Sequence, residues 1–212
     1  MPRISEERRD ARRAQIIDAA RACVLEHGLE AVSMEMIIAR SGLSTGAVYR
    51  YFKSKDDLIR AAITAAASEI SAAAAPILTD PKPARPPQLL RELLTAWVGY
   101  SRSGVGAAAD LDRMPVALHG WSYAQTDPEA KAILQASMRG FRDRCVPLVK
   151  QWQTDGLIAA GVEPDAVAQL ILSICLGFVV QRSLTGDAEA QAYADALAAL
   201  THGPLAETEA AR

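Results

Sequence analysis

Apolar residues recur along most of the chain at intervals of three and four, the spacing of an amphipathic α-helix. In the first such stretch Ile16, Ala20 and Cys23 follow this spacing, and Gly28 ends it in the position after a helix that favours glycine. Continued along the sequence, the pattern predicts about nine helices. We therefore expect an all-α fold.

Capping residues place the helix boundaries. Serines at 33, 44 and 54 and Asp127 precede apolar-periodic segments, as N-cap residues do. A proline-rich stretch over 76–87 predicts a non-helical connection. The predicted helices cover about residues 14–27, 34–41, 45–52, 55–75, 88–102, 107–124, 128–155, 164–185 and 188–201.

The two short helices, 34–41 and 45–52, are joined by a tight turn that contains Gly42. This is the sequence form of a helix-turn-helix. Ile37 of the first helix can pack against Val48 of the second, and a glycine permits the turn without a Cβ clash. The pattern predicts a DNA-binding module.

Several side chains of this module suit contacts with DNA. The small residues Thr45, Gly46 and Ala47 would let the second helix approach a groove closely, and Arg50 could contact a guanine edge or a phosphate. Instead of contacting DNA, the two tyrosines could be partly buried against the core. The N-terminal arginines could belong to an arm that is surrounded by solvent. The remaining predicted contacts are Ser33, Ser44, Tyr49, Tyr51, Lys53, Lys55, Arg12 and Arg13.

The spacing of Gly46, Tyr49, Phe52, Ser54 and Lys55 within the run GAVYRYFKSKDDL is specific. Together with the opening helix and the turn SGLS, it resembles the TetR family of bacterial transcriptional regulators over about residues 13–58. The resemblance implies two sets of positions. DNA contacts would come from Ser33, Thr45, Gly46, Tyr49, Tyr51 and Lys55, and core packing from Val48 and Phe52.

Three residues depart from the family pattern. Glu35 stands where a basic or polar residue is frequent and would face phosphate unfavourably. Ala47 replaces a common hydroxyl residue, and Ile38 replaces a frequent alanine, which would change the angle between the two helices.

The resemblance also implies two domains: a three-helix DNA-binding domain over 1–54 and a helical ligand-binding and dimerisation domain over 55–212. The second domain would enclose a small, apolar or aromatic effector and needs no cofactor. The candidate ligand-binding residues are Trp97, Met114, Leu118, His119, Trp121, Met138, Phe141 and Phe178. The alternative for each of these residues is packing in the core without any contact to a ligand.

The helix over 164–185 is apolar on two faces, which predicts one face on its own core and one on a partner. Two such helices from each of two subunits would form a four-helix bundle. A dimer would present two reading helices to a palindromic site. The predicted interface residues are Leu172, Cys175, Leu176, Val179, Tyr193 and Leu197.

Composition narrows the function further. The 212 residues are 50% hydrophobic and 23% charged, with a net charge of −2, so any DNA affinity must be local. Residues 1–60 carry +2 and the remainder −4. The three scattered cysteines each lie in an apolar helical pattern, which predicts buried thiols in a reducing compartment. The sequence shows no metal-ligand spacing, nucleophile–base pair or glycine-rich phosphate loop, which argues against an enzyme, and no signal or membrane-spanning segment is evident.

We therefore expect a cytoplasmic, homodimeric transcriptional regulator that binds double-stranded DNA and a small-molecule effector, and we expect it to act as a repressor. The alternative is a helical scaffold or protein-binding module that no longer reads DNA.

Overall fold

A computed structural model describes residues 6–102 and 114–202, and these contain nine α-helices and no strand. The all-α prediction is confirmed. The helices are α1 (Glu6–His27), α2 (Met34–Ser41), α3 (Thr45–Tyr51), α4 (Lys55–Leu78), α5 (Pro86–Arg102), α6 (Met114–Tyr123), α7 (Pro128–Thr154), α8 (Pro164–Thr185) and α9 (Ala190–His202).

Two predicted boundaries are wrong. Helix α1 begins at Glu6 rather than near residue 14, because the charged segment holds good helix formers and has Glu6 and Glu7 in its first turn. Helix α4 continues through Pro76 to Leu78. Four alanines precede this proline, and the amide of Thr79 still donates to the carbonyl of Ala75 at 3.0 Å. The predicted start of the sixth helix, at 107, lies outside the described residues.

The chain divides into two compact units, and the N-terminal unit comprises Met1–Ser68 and Ser101–Gln135. Within it α1 packs against α2 and α6. Its principal core is a cluster contributed by α1 to α4. The members of this cluster include Ile16, Ile17, Ala20, Cys23, Val24, Ile37, Val48, Phe52 and Leu58.

The C-terminal unit comprises Glu69–Tyr100 and Ala136–Arg212. Its large buried side chains come from α5, α7 and α8. The indole Nε1 of Trp152 donates to the carbonyl of Ala84 at 3.0 Å, which anchors the segment before α5 to α7. The buried residues of this unit include Leu89, Leu93, Leu94, Trp97, Phe141, Cys145, Val149, Trp152, Cys175 and Phe178.

Helices Lys55–Leu78 and Pro164–Thr185 are long and apolar enough to cross a membrane, judged by length and composition alone. This is weak evidence, because helices that line the core of a soluble protein pass the same test.

Candidate DNA interface and effector region

The helix-turn-helix is set by local hydrogen bonds that the sequence encodes. Ser33 caps α2 by accepting from the amide of Met36 at 3.3 Å, and Ser44 caps α3 by accepting from the amide of Ala47 at 3.3 Å. Between them Gly42 adopts φ 67°, ψ 13°, the left-handed region that favours glycine. The predicted caps and the predicted turn glycine are therefore confirmed.

The orientation of α2 and α3 is fixed by packing and by two long-range polar contacts. Val48 of α3 is fully buried beside Ile37 of α2. The guanidinium of Arg40 donates twice to the carboxylate of Glu26 on α1, each bond at 2.6 Å. The side chain of Gln15 donates to the carbonyl of Ser41 at 2.7 Å. Buried packing and these hydrogen bonds thus hold the three helices in place. The apolar periodicity of the sequence does not predict the Arg40–Glu26 pair.

One face of α3 is open to solvent. Thr45, Gly46, Tyr49 and Arg50 are exposed, with Tyr49 38% exposed. A Cβ built at Gly46 meets nothing within 4 Å. Tyr51 instead packs against the core cluster, in the partly buried position that is the alternative for the tyrosines. The structure therefore brings four of the predicted contacts onto one exposed surface, while Ala47 is half-buried.

Four of the predicted basic contacts are engaged within the chain. Lys53 donates through Nζ to the carbonyl of Tyr49 at 2.9 Å, and Lys55 donates to the carbonyl of Glu30 at 3.3 Å. Arg13 lies over the ring of Phe52, 5.5 Å from its centroid.

Arg12 donates to the side chain of Gln15 at 2.9 Å. Arg12 and Arg13 are part of α1 rather than of a loose arm. To contact a DNA phosphate, Lys53, Lys55, Arg12 and Arg13 would each have to give up the contact that it makes within the chain.

Glu35 occupies the first turn of α2, where the helix dipole favours a negative group. A hydrogen bond from Ser33, followed by one from its own backbone amide, lowers the pKa of the Glu35 carboxyl. The exposed carboxylate is therefore charged at neutral pH and sits at a helix end that would otherwise attract phosphate.

A polar network joins the start of α4 to the α6–α7 turn. Arg60 on α4 contacts Asp127 at 2.9 Å and Asp57 at 3.0 Å. The hydroxyl of Tyr123 lies 3.0 Å from Asp56 Oδ1 and 3.1 Å from Asp127 Oδ2. Burial first, then these two carboxylates, raises the pKa of Tyr123 well above its usual range. Because α4 follows α3 directly, this network connects the reading module to α6 and α7 within the N-terminal unit. Sequence patterns did not indicate it.

The candidate ligand-binding residues fall into both units. In the C-terminal unit Trp97 and Phe141 form an edge-to-face pair with ring centroids 6.2 Å apart, Phe178 is fully buried and Met138 is half-buried. The α6 candidates belong to the N-terminal unit: Met114 is buried, while Leu118, His119 and Trp121 are half-buried.

The predicted dimer-interface residues differ in burial. Leu172, Cys175 and Val179 are between 0% and 8% exposed and pack within this chain. The half-buried members are Leu176, Tyr193 and Leu197, and the Tyr193 ring packs edge-to-face on Phe178 at 5.3 Å. Apolar periodicity identified both faces of α8, but only packing decides which face meets the core.

The three cysteines are free and buried, as predicted. Burial raises the pKa of Cys145 to about 12 and that of Cys175 further still. No group of His, Cys, Asp and Glu side chains among the described residues could hold a metal ion.

Comparison with known proteins agrees with this geometry. Residues 16–62 match the family model of bacterial regulatory proteins, tetR family, and residues 105–203 match that of the BetI-type transcriptional repressor, C-terminal. Over 58 residues the chain is 40% identical to the HTH-type transcriptional repressor Rv1474c of Mycobacterium tuberculosis, a match that covers 27% of this chain and 31% of that protein. The curated relative is therefore matched over only about a third of its length.

Solved structures share the whole fold. Salmonella enterica GusR superposes with a TM-score of 0.72 over 94% of this chain and 97% of its own, at 22% identity. A putative transcriptional regulator from Saccharomonospora viridis, solved in complex with choline, gives a TM-score of 0.67 over 92% of this chain and 97% of its own, at 17% identity. The two family models together span more than half of the sequence, and the predicted family is confirmed. The chain belongs to the TetR family of bacterial transcriptional regulators.

Proposed function

We propose that this regulator represses transcription by binding a palindromic operator as a homodimer and releases it when a small effector binds. The observation that carries the proposal is the exposed face of α3, where Thr45, Gly46, Tyr49 and Arg50 stand on a rigid, capped helix. Residues 1–54 would read DNA and residues 55–212 would bind effector and partner. The protein would act in the cytoplasm without a cofactor.

Direct readout is tested with Arg50, the long exposed cation of α3. A bound-DNA selection from random duplexes supplies the operator. Arg50→Ala should weaken operator binding by about 1–3 kcal/mol and random-sequence binding by less. Arg139→Gln, an exposed arginine on α7, is the matched control and should bind both DNAs as the wild type does. Equal losses on the two DNAs would make Arg50 a phosphate contact, and no binding to any duplex at low salt would favour the scaffold alternative.

We propose that the outward side of α8 and α9 forms the dimer surface. Leu170 is 57% exposed and Leu184 73% exposed, and Ile174, Gly177 and Gln181 lie between them at helical spacing. On α9 Leu200 is 81% exposed. Large apolar side chains this exposed are typical of an interface, and the bare Gly177 would permit close approach of a second helix.

Light scattering tests this surface. Leu170→Asp combined with Leu184→Asp should convert a dimer into a monomer, because each change would place charges inside the apolar interface. Val162→Asp, which alters an exposed apolar residue just before α8, is the control and should stay dimeric. A double variant that remains dimeric would show that the interface lies on another surface.

Effector response is expected because solved structures that share this fold hold small molecules, such as the putative transcriptional regulator from Saccharomonospora viridis in complex with choline. We propose that the aromatic residues of α5 and α7 receive the apolar part of the effector. Release requires that the effector bind better to the conformation that does not fit the operator. Operator titrations with and without saturating compound measure this, and unchanged affinity for every compound that binds would reject the switch.

A further inference from the structure

The C-terminal unit contains two buried donors that have no acceptor. Trp97 is 5% exposed, and its indole Nε1 makes no hydrogen bond. The Nε of Arg144 is also buried without a partner. Both groups can only donate.

These two donors share one side of α7. The ring of Trp97 packs against Phe141, and Arg144 follows Phe141 by three residues, which places both on the same helix face. Arg144 is held from the other direction by Ser71 of α4, whose hydroxyl accepts from Nη2 at 3.0 Å. The hydrogen-bond acceptor for this guanidinium is thus a neutral hydroxyl.

Within the described part of the chain no ion pair forms to Arg144, and its near neighbour Cys145 is a neutral thiol, since burial raises its pKa to about 12. Glu69 lies two residues before Ser71 on α4, so it projects from a different side of that helix, and it has interactions of its own. Arg144 as a whole is half-buried, and only its Nε is enclosed. Buried donors normally have acceptors in native structures, and within the described residues no acceptor lies within hydrogen-bond distance of Arg144 Nε or Trp97 Nε1.

We propose that the effector is an organic anion, a carboxylate on an apolar or aromatic body, bound with its oxygens at Arg144 and Trp97 Nε1 and its body beside Phe141. This rests on the proposed function, because it names the effector class of the regulatory domain. A guanidinium and an indole donor attract a carboxylate and repel a cation such as choline.

Isosteric probe pairs test the charge requirement. Octanoate, phenylacetate and benzoate are each compared with their primary amides, and choline and benzyltrimethylammonium serve as cations, in a thermal unfolding assay. At least one carboxylate should raise the unfolding midpoint by about 3 °C or more, while its amide and the cations leave it nearly unchanged. Shifts with amides or cations but not with carboxylates would overturn the proposal, as would no shift with any probe, since a water molecule would then be the acceptor.

Two variants locate the site. Arg144→Gln should weaken binding of the active carboxylate by roughly tenfold or more, and Trp97→Phe, which keeps an aromatic ring but removes the indole N–H, should weaken it by a few-fold. Arg139→Gln changes an exposed arginine of the same helix and should bind the carboxylate as the wild type does. Equal losses in all three variants would overturn the site.

Operator affinity is also measured for each preparation in the absence of any probe. A wild-type protein that binds no operator would reject the proposed function, whatever the outcome for the anion site. A carboxylate that binds through Arg144 but leaves operator affinity unchanged would overturn its role as effector.

Discussion

Gly46→Ala separates the stability of α3 from its fit to DNA. Gly46 is exposed within α3, and a Cβ added there meets nothing within 4 Å. Alanine is favoured over glycine in a helix by about 0.5–1 kcal/mol, so the free energy of unfolding should rise by up to about that amount. If this surface enters a groove, the added methyl meets a base or phosphate, and overpacking of this kind costs about 1–3 kcal/mol. Operator affinity should therefore fall about five- to 150-fold in a protein that is slightly more stable.

Gly42→Ala is the matched comparison. A Cβ at Gly42 also meets nothing within 4 Å, but its φ of +67° is strained for alanine, so this variant should lose about 1–2 kcal/mol of stability. Urea unfolding followed by circular dichroism measures stability, and fluorescence anisotropy on the selected operator measures affinity. A Gly46→Ala protein that binds the operator as tightly as the wild type would show that the start of α3 stays outside the groove.

Three further predictions concern charge and reactivity. Glu35→Gln should bind the operator several-fold more tightly at low salt, because it removes a charged carboxylate from beside the phosphates; unchanged affinity by anisotropy would place Glu35 outside the interface. The backbone amide of Ala130 first, then Tyr123 and Arg60, lowers the pKa of Asp127. The stabilising contribution of the Asp127 carboxylate is therefore fully present above the pKa of the unfolded state, about 3.9, and is lost as the pH falls through the lower pKa of the folded state. In Asp127→Asn the free energy of unfolding should therefore fall less steeply as the pH is lowered. The thiols of Cys23, Cys145 and Cys175 are buried; they should react with Ellman's reagent only as the protein unfolds, and one fast native thiol would contradict the structure.

Much of the reading module could be predicted from local signals. Helix α2, the caps Ser33 and Ser44 and the turn at Gly42 agree with the sequence reading because short-range hydrogen bonds and backbone preferences fix them. Helix α8 also begins and ends where Pro164 and Gly186 predict. The predicted end of α4 falls short because proline usually interrupts a helix, whereas the exposed Pro76 near the end of α4 removes only one hydrogen bond.

Most of the helices, their caps and the family can be predicted from residues that are neighbours along the chain. Which side of α8 is buried cannot: Leu172 and Cys175 face inward while Leu170 and Leu184 face out, and only the packed fold shows this. It alone paired Arg40 with Glu26 across 14 residues and left the donors of Trp97 and Arg144 without acceptors. The physical reason is that helical periodicity gives the direction of a side chain relative to its own helix axis, whereas burial and partners depend on which distant element packs against that side.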